Sequence, residues 1–143
     1  FLADILGQKI KLPVKEVDDK EDILPGIVYL GPPDYHLLVE KDYSFSLDDS
    51  EPVNYSRPAI DVTFESVADV YKEKCIGIIL TGANNDGSYG LLRIVQHGGL
   101  ALIEDPREAI APFMPQSAMA MVKEAKVLKL KNIAQFLESL WKS

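Results

Sequence analysis

Residues 75–90 constrain the fold of this chain more than any other stretch. The apolar run 76–80 has no polar alternation, which is typical of a strand buried on both faces of a parallel sheet. Small and turn-forming residues fill positions 81–87, and a helical pattern then runs from Ser88 to a stop at Gly98. The stretch therefore predicts a strand, a loop and a helix. The loop lies where ligands and reactive groups gather in open α/β sheets.

Strand and helix patterns alternate from residue 60 to the end of the chain. An amphipathic helix is predicted from Ile60 to Tyr71, with Asp61 near its positive end. Strands are predicted at 100–103 and 127–130, and helices at 116–125 and after an N-cap at Asn132. The inward face of that last helix is predicted to carry Ile133, Phe136, Leu137 and Leu140. Such alternation indicates an α/β fold with a doubly wound, mostly parallel, Rossmann-like sheet.

The first part of the chain shows shorter elements. A helix end is predicted at 1–7, a strand within 11–17, and an acidic solvated turn at 18–22. Strands at 27–30, 36–40 and 43–47, joined by tight turns, predict an antiparallel meander. The chain is thus interpreted as one domain, residues 1–143, in which a small antiparallel hairpin region joins the parallel sheet.

Composition excludes several kinds of partner. The chain has 15 basic and 22 acidic residues without a basic cluster, which argues against a nucleic-acid partner. Its longest apolar runs fall short of the ~20 residues that span a bilayer, so no membrane partner is expected. The single cysteine, Cys75, excludes an internal disulfide and fits a cytoplasmic location.

Neither a nucleotide nor a metal is favoured as a cofactor. Gly82 and Gly87 have the spacing of a phosphate loop, but Ser88 stands where such loops carry lysine and Asp86 places a negative charge in the loop. His36, His97 and Cys75 are scattered, without the short spacing of metal ligands. We therefore expect no cofactor.

Asp86 is the best candidate for a catalytic group. It follows a rigid strand and precedes a helix, so it suits the acid that orients a catalytic histidine, or equally a plain helix-capping aspartate. No serine shows the glycine-flanked turn after a strand that exposes a nucleophile. His36 is either a site residue or a hydrogen-bonded structural histidine. Arg57 could bind a substrate carboxylate or pair with a surface acid.

Three segments carry a resemblance to a known family. They read YLGPPDYHLLVE, PVNYSRPAIDVTFESVA and ILTGANNDGSYGLLRIVQHGGLALIEDP, in that order. Together they resemble the catalytic domain of CheB-type chemotaxis protein-glutamate methylesterases over almost the entire chain. The resemblance implies hydrolysis of methyl esters on receptor glutamates, and in many members deamidation of receptor glutamines, by a Ser-His-Asp triad.

The resemblance assigns roles to individual residues. Asp86 matches the triad aspartate, whereas the serine and the histidine are expected upstream of Phe1, so the chain is read as the C-terminal portion of the domain. The family commonly has Met-Gly where this chain has Ala83 and Asn84, and the Ala83 amide inherits an oxyanion-hole role. Other positions that match the family's pocket are Arg57, Thr81, Gly82, Asn84, Met114 and Pro115.

These assignments lead to functional expectations. Residues 1–143 alone should be inactive, and Asp86→Asn should lower turnover by about 10⁴ with little effect on folding. The expected partner is the cytoplasmic domain of a methyl-accepting chemotaxis receptor, and a receiver or methyltransferase domain could accompany the chain. The alternative is a non-catalytic CheB-like scaffold that binds a signalling protein.

Overall fold

The structure is a computed structural model that describes residues 11–142. The helix end predicted at 1–7 lies outside the described residues. In the remainder, seven strands and four helices form an α/β architecture with one parallel sheet and two smaller strand pairs. The predicted fold class, with a mostly parallel sheet and a small antiparallel part, is confirmed.

The first four strands form two separate pairs. Strands β1 (Val14–Glu16) and β2 (Val28–Leu30) are parallel, whereas β3 (His36–Val39) and β4 (Phe45–Asp48) form an antiparallel hairpin. The predicted three-stranded meander was therefore wrong for its first strand. The alternating pattern of a strand identifies the strand but not its neighbour, and here β2 pairs with the strand that precedes it.

Helix α1 (Ile60–Tyr71) covers the antiparallel hairpin. A small core of Val17, Leu37, Val39 and Phe45 lies between them, and Val67, Val70 and Tyr71 of the helix pack against it. A single 3₁₀ turn, Lys72–Lys74, then leads into the parallel sheet. The hairpin and α1 thus pack together as a unit that precedes the sheet in the chain.

The parallel sheet has the order β5 (Ile76–Ile79), β6 (Leu100–Glu104) and β7 (Lys126–Leu128). The central strand, β6, is buried from Ala101 to Glu104 and contacts all three helices that follow β5. Strand β5 lies at one edge of this sheet, and Ile76 on it is 36% exposed. The prediction that β5 is buried on both faces was thus wrong, because the helix that follows β5 covers only the face of Gly77 and Ile79.

Three helices alternate with these strands: α2 (Ser88–Gln96), α3 (Phe113–Met121) and α4 (Leu130–Lys142). The α2 prediction is confirmed, with Leu91 buried against Ile79 in the main core. None of the helices in the described part of the chain is both long and apolar enough to cross a membrane.

Two helix starts differ from their predictions. Helix α3 begins at Phe113, earlier than predicted, because Pro115 sits in the first turn, where its missing N–H has no intrahelical partner to lose. Helix α4 begins at Leu130, whose amide donates to Glu108 Oε1 at 2.6 Å, so the predicted N-cap at Asn132 was wrong. Of the predicted inward residues only Ile133 is fully buried; Phe136 is half-buried, and Leu137 and Leu140 are exposed.

Candidate active site

The loop between β5 and α2 is fixed by main-chain hydrogen bonds to the segment before α3. The Gly82 amide donates to Ala111 O at 2.9 Å, and the Met114 amide donates to Gly82 O at 3.0 Å. Thr81 adds a side-chain contact, since its Oγ1 accepts the Ala111 amide at 2.6 Å. The structure therefore brings together Thr81, Gly82 and Met114, three of the predicted pocket residues.

Gly82 lies against the Met114 side chain, which would have to move if position 82 carried a side chain. A Cβ at this position would be 2.5 Å from Met114 Cε and 2.8 Å from Met114 Sδ. The next residue, Ala83, is exposed, and its amide has no acceptor among the described residues. This exposed N–H is what an oxyanion-hole donor requires. Asn84 is exposed as well, and its Oδ1 accepts the Asp86 amide at 2.9 Å.

Asp86 is 3% exposed, and both of its carboxylate oxygens accept main-chain amides of another helix. Oδ2 accepts the Ile60 amide at 2.6 Å, and Oδ1 accepts the Asp61 amide at 3.0 Å. These amides open helix α1, so Asp86 caps α1 rather than its own helix, α2. The positive end of α1 offsets the negative charge of the buried carboxylate.

Asp61 makes the reciprocal contact with the start of α2. Its Oδ1 accepts the Gly87 amide at 3.0 Å and the Gly90 amide at 2.7 Å, and the residue is 9% exposed. The sequence places Asp61 at the start of α1, where it was predicted to favour that helix. The structure confirms this position, with Asp61 in the first turn of α1, and shows in addition that its carboxylate accepts amides at the start of α2.

One side-chain amide joins the two carboxylates. Asn54 Nδ2 donates to Asp61 Oδ2 at 2.8 Å and to Asp86 Oδ1 at 3.3 Å. Asn54 and Tyr55 form a two-residue turn with φ of 53° and 64°, closed by two 2.9 Å hydrogen bonds between Val53 and Ser56. Asparagine tolerates this left-handed backbone better than most residues. The turn places its amide between the two aspartates.

Two glycines let the helices approach closely enough for this exchange. Gly87 has φ of 104°, and a Cβ there would lie 3.2 Å from Ile60 Cγ2 of α1 and 2.5 Å from Ile79 Cδ1 of β5. At Gly90 a Cβ would lie 2.6 Å from Phe64 Cβ and 3.1 Å from Asp61 Cα. The α1–α2 contact at the candidate site therefore depends on the absence of side chains at these positions.

Neither of the two histidines in the chain contacts Asp86. His36 is 1% exposed; its Nε2 lies 2.9 Å from Glu51 O and its Nδ1 accepts the Ala59 amide at 3.2 Å. Of the two interpretations of His36, this geometry fits the hydrogen-bonded structural histidine. His97 pairs with Asp69, with Nε2 and Oδ1 3.1 Å apart. A histidine that used Asp86 would have to come from elsewhere.

Arg57 forms no ion pair with a surface acid among the described residues. Its guanidinium donates to the main-chain oxygens of Asp49 and Ser50, at 2.9 and 3.3 Å. It therefore closes the turn region 49–57. The remaining predicted pocket residue, Pro115, is buried in the first turn of α3 beside Met114.

A cavity of about 470 Å³ lies between the start of α2 and one side of α3, and Asp61, but not Asp86, is among its lining residues. Polar groups contributed by Asn54, Asp61, Asn85 and Ser88 line one part of it, and apolar side chains line the rest; the apolar lining includes Phe113, Ala120 and Met121. In the described part of the chain no group of three or more His, Cys, Asp or Glu side chains could hold a metal ion.

Asp86 was selected from the sequence as a candidate, whereas the two residues that contact its carboxylate, Asn54 and Asp61, were missed. Asn54 lies in a turn between Pro52 and Pro58, in a segment quoted only for its resemblance to the family. Asp61 follows the usual preference for acids in a first helical turn. One signal was available in the sequence. Two consecutive predicted helices each begin beside an acid, Asp61 and Asp86, and Asn54 lies shortly before the first helix.

The arrangement provides a rigid, buried carboxylate that can accept one further hydrogen bond. Oδ1 of Asp86 accepts two donors and Oδ2 accepts one, whereas a carboxylate oxygen has two acceptor sites. Such a group suits the orientation of a protonated ring nitrogen better than proton transfer, because its charge is already stabilised by fixed amides.

Comparison with known proteins gives a consistent result. The family model described as CheB methylesterase matches residues 1–137. A Leptospira interrogans protein named putative protein-glutamate methylesterase/protein-glutamine glutaminase is 49% identical over 131 residues, which are 92% of this chain and 68% of that protein. A Thermotoga maritima protein-glutamate methylesterase/protein-glutamine glutaminase is 38% identical over 121 residues, 82% of this chain and 35% of that protein.

A solved structure is similar over nearly the full chain. The crystal structure of the Thermotoga maritima CheB methylesterase catalytic domain aligns with a TM-score of 0.91 at 36% identity, over 97% of this chain and 75% of that one. The chain thus spans about two thirds of the Leptospira relative and about one third of the Thermotoga relative.

Proposed function

The chain belongs to the CheB methylesterase family, and on that premise we propose that Asp86 is the orienting aspartate of a Ser-His-Asp protein-glutamate methylesterase. The single observation that carries the proposal is the state of the Asp86 carboxylate. It is buried, fixed by two main-chain amides, and has one acceptor site left on Oδ2. A triad aspartate needs these properties to hold an imidazole in one tautomer.

The reaction proposed is acyl transfer to water in two steps. A serine oxygen attacks the carbonyl carbon of a methyl-glutamyl ester while a histidine takes the serine proton and passes it to the leaving methoxide, which departs as methanol. Water then attacks the acyl-enzyme and releases the glutamate carboxylate. In both steps Asp86 accepts the second ring N–H of the histidine and stabilises its positive charge.

The serine and the histidine are proposed to come from outside residues 1–143. Both histidines of the chain are occupied by other partners, and no serine lies in a nucleophile turn. The Ala83 amide is proposed as an oxyanion-hole donor because it is exposed and has no acceptor among the described residues. Thr81, Gly82, Asn84, Met114 and Pro115 are proposed to shape the pocket beside it, with Arg57 supporting the adjacent turn.

The proposed substrate is a methyl-accepting chemotaxis receptor. The relatives are named for activity on protein-bound glutamate esters and glutamines, so both reactions are proposed for this chain. Receptors present these side chains on their cytoplasmic domain, and a cytoplasmic location also fits the single reduced cysteine. A receiver or a methyltransferase domain is a proposed companion.

The test measures methanol release from a methylated receptor by the complete protein that carries this chain. Asp86→Asn should lower kcat by about 10⁴, because an amide at this position no longer holds the catalytic histidine in the correct tautomer. His97→Gln is the matched control, because its ring is engaged by Asp69 and should not affect turnover. Residues 1–143 alone should release no methanol. Equal turnover by wild type and Asp86→Asn would overturn the proposal.

A non-catalytic scaffold is the second candidate function. It is favoured by the fact that Asp86 already caps helix α1 through both oxygens, a role that is complete without a histidine. In that case the complete protein would bind the receptor and release no methanol, and Asp86→Asn would change stability alone.

A further inference from the structure

We propose that Asn54 is a positioning residue for Asp86, and that it acts together with Asp61 to direct the catalytic histidine to Oδ2 of Asp86. This inference rests on the proposed function. Asn54 makes the single side-chain hydrogen bond to the Asp86 carboxylate from the described residues, through Nδ2 and Oδ1 at 3.3 Å.

The first step is the distribution of acceptor sites on Asp86. Oδ1 accepts the Asp61 amide at 3.0 Å and the Asn54 amide at 3.3 Å, which uses both of its sites. Oδ2 accepts the Ile60 amide alone, at 2.6 Å. An incoming ring N–H therefore finds one open site, on Oδ2. Without the Asn54 donor, Oδ1 would offer a second site and the imidazole could bind in two orientations.

The second step concerns charge. Asp61 Oδ2 and Asp86 Oδ1 both lie within hydrogen-bond distance of the same nitrogen, so two carboxylates face each other across Asn54. Like charges in a buried site repel more strongly than they do in water. The amide group places its two positively polarised hydrogens between them. Removal of this donor would turn the Asp86 side chain away from Asp61 and change the direction in which Oδ2 points.

The third step concerns the backbone. Asn54 adopts φ of 53°, in a turn whose hydrogen bonds hold its side chain over the two aspartates. Main-chain amides fix Asp61 in turn through Gly87 and Gly90, on the helix that follows Asp86. The turn therefore fixes Asn54, and the amides at the start of α2 fix Asp61. Residues that hydrogen-bond to a catalytic group in this way hold it within a narrow range of orientations.

The experiment uses the complete protein that carries this chain and measures kcat and KM for methanol release from a methylated receptor. Asn54→Gly removes the amide and keeps a residue that accepts positive φ. Asn54→Asp preserves the shape and replaces the donor by a third carboxylate. Tyr55→Gly is the matched control, because Tyr55 has φ of 64° in the same turn and its side chain is fully exposed.

Asn54→Gly should lower kcat about tenfold or more with KM changed less than twofold, and Asn54→Asp should lower kcat further. Tyr55→Gly should keep the wild-type kcat. In an Asp86→Asn background, Asn54→Gly should change kcat less than twofold, since its effect passes through Asp86. A purely structural role would lower activity by the same factor in both backgrounds and in proportion to the loss of folded protein, measured by thermal unfolding.

The outcomes separate the two proposals. If Asp86→Asn keeps wild-type turnover, the proposed function fails and the role of Asn54 fails with it. If Asp86→Asn loses turnover while folded Asn54→Gly and Asn54→Asp keep it, the triad assignment stands and the positioning role is overturned. Equal factors in the two backgrounds overturn it as well.

Discussion

The carboxylates of Asp61 and Asp86 make reciprocal helix caps: each accepts main-chain amides at the start of the helix beside the other residue. Asp86 binds the amides of Ile60 and Asp61 at the start of α1, and Asp61 binds the amides of Gly87 and Gly90 at the start of α2. Each helix therefore gains its cap from a residue distant in sequence. The proposed catalytic group and the packing of the two helices are consequently not independent.

Replacement of Asp86 should lower stability as well as activity. Asp86→Ala removes the acceptors of two buried amides, which should cost about 1–3 kcal/mol in the free energy of unfolding. Asp86→Asn should also destabilise, because its NH₂ group would face one of the two amides. The structure thus revises the expectation that Asp86→Asn has little effect on folding.

Urea unfolding at pH 7 tests this coupling, with the exposed Glu124→Gln as the control that removes an acid without a cap. The control should unfold at the wild-type urea midpoint, within about 0.5 kcal/mol. Identical midpoints for wild type and Asp86→Ala would show that the capping bonds contribute nothing to stability.

Gly90→Ala should separate the two helices. Its Cβ would lie 2.6 Å from Phe64 Cβ and 3.1 Å from Asp61 Cα, and a main-chain atom cannot move aside as a side chain can. We expect a loss of about 1–3 kcal/mol by overpacking. Gly31→Ala is the matched control, since its nearest contact would be an ordinary 3.7 Å to Leu37. Chemical unfolding of both variants is the measurement, and a Gly90→Ala variant as stable as Gly31→Ala would contradict the proposed close approach.

The local elements of the fold could be predicted from sequence because their signals are local. The apolar run before Thr81 and the Leu91 stripe define β5 and α2 without any knowledge of the rest of the chain. The next helix, by contrast, was predicted to begin at residue 116, after Pro115, although a proline in a first turn is compatible with a helix that has already begun. The error moved the start of α3 and separated Met114 from the helix that holds it.

The contacts of the candidate site could not be predicted because they are long-range. Asp86 binds amides that lie 25 and 26 residues earlier, and Asn54 lies 32 residues before it. Nothing in a turn such as 53–56 indicates which side chain it will deliver to a distant carboxylate. The pairing of β2 with β1 is another such case, since its register depends on how the loop between them crosses.

His36→Leu should destabilise the protein without a direct effect on chemistry. The buried ring satisfies Glu51 O and the Ala59 amide, which is the residue before α1, and leucine would leave both groups unpaired. The expected loss is about 1–3 kcal/mol for the Ala59 amide, which is the buried one of the two groups, since Glu51 is exposed. His97→Gln, at a partly exposed ion pair, should lose less than about 1 kcal/mol. Thermal unfolding of the two variants compares them, and equal melting temperatures would contradict the structural role of His36.

Cys75 should resist thiol reagents in the folded protein. Burial raises the pKa of its thiol to about 11, so the reactive thiolate is scarce at pH 8. Ellman's reagent at pH 8 should modify the native protein far more slowly than the same protein in 6 M guanidinium chloride. A native rate close to the denatured rate would show that the residue is open to solvent.

The ion pair between Asp105 and Arg107, at the end of β6, should give a local pH dependence. The hydrogen bonds and charge of Arg107 lower the pKa of the Asp105 carboxyl from 3.8 to about 2. A carboxyl whose pKa is lower in the folded state stabilises that state above the unfolded pKa, and this contribution is lost as the pH falls from about 4 through about 2. Arg107→Gln should raise the titration midpoint of Asp105, measured by NMR of its carboxyl carbon, but not fully to 3.8, because the main-chain amide of residue 107 still donates to Oδ1. Since the Arg107 side chain is 89% exposed, added salt should move the wild-type midpoint toward that of the variant, and a wild-type midpoint near 3.8 at low salt would contradict the ion pair.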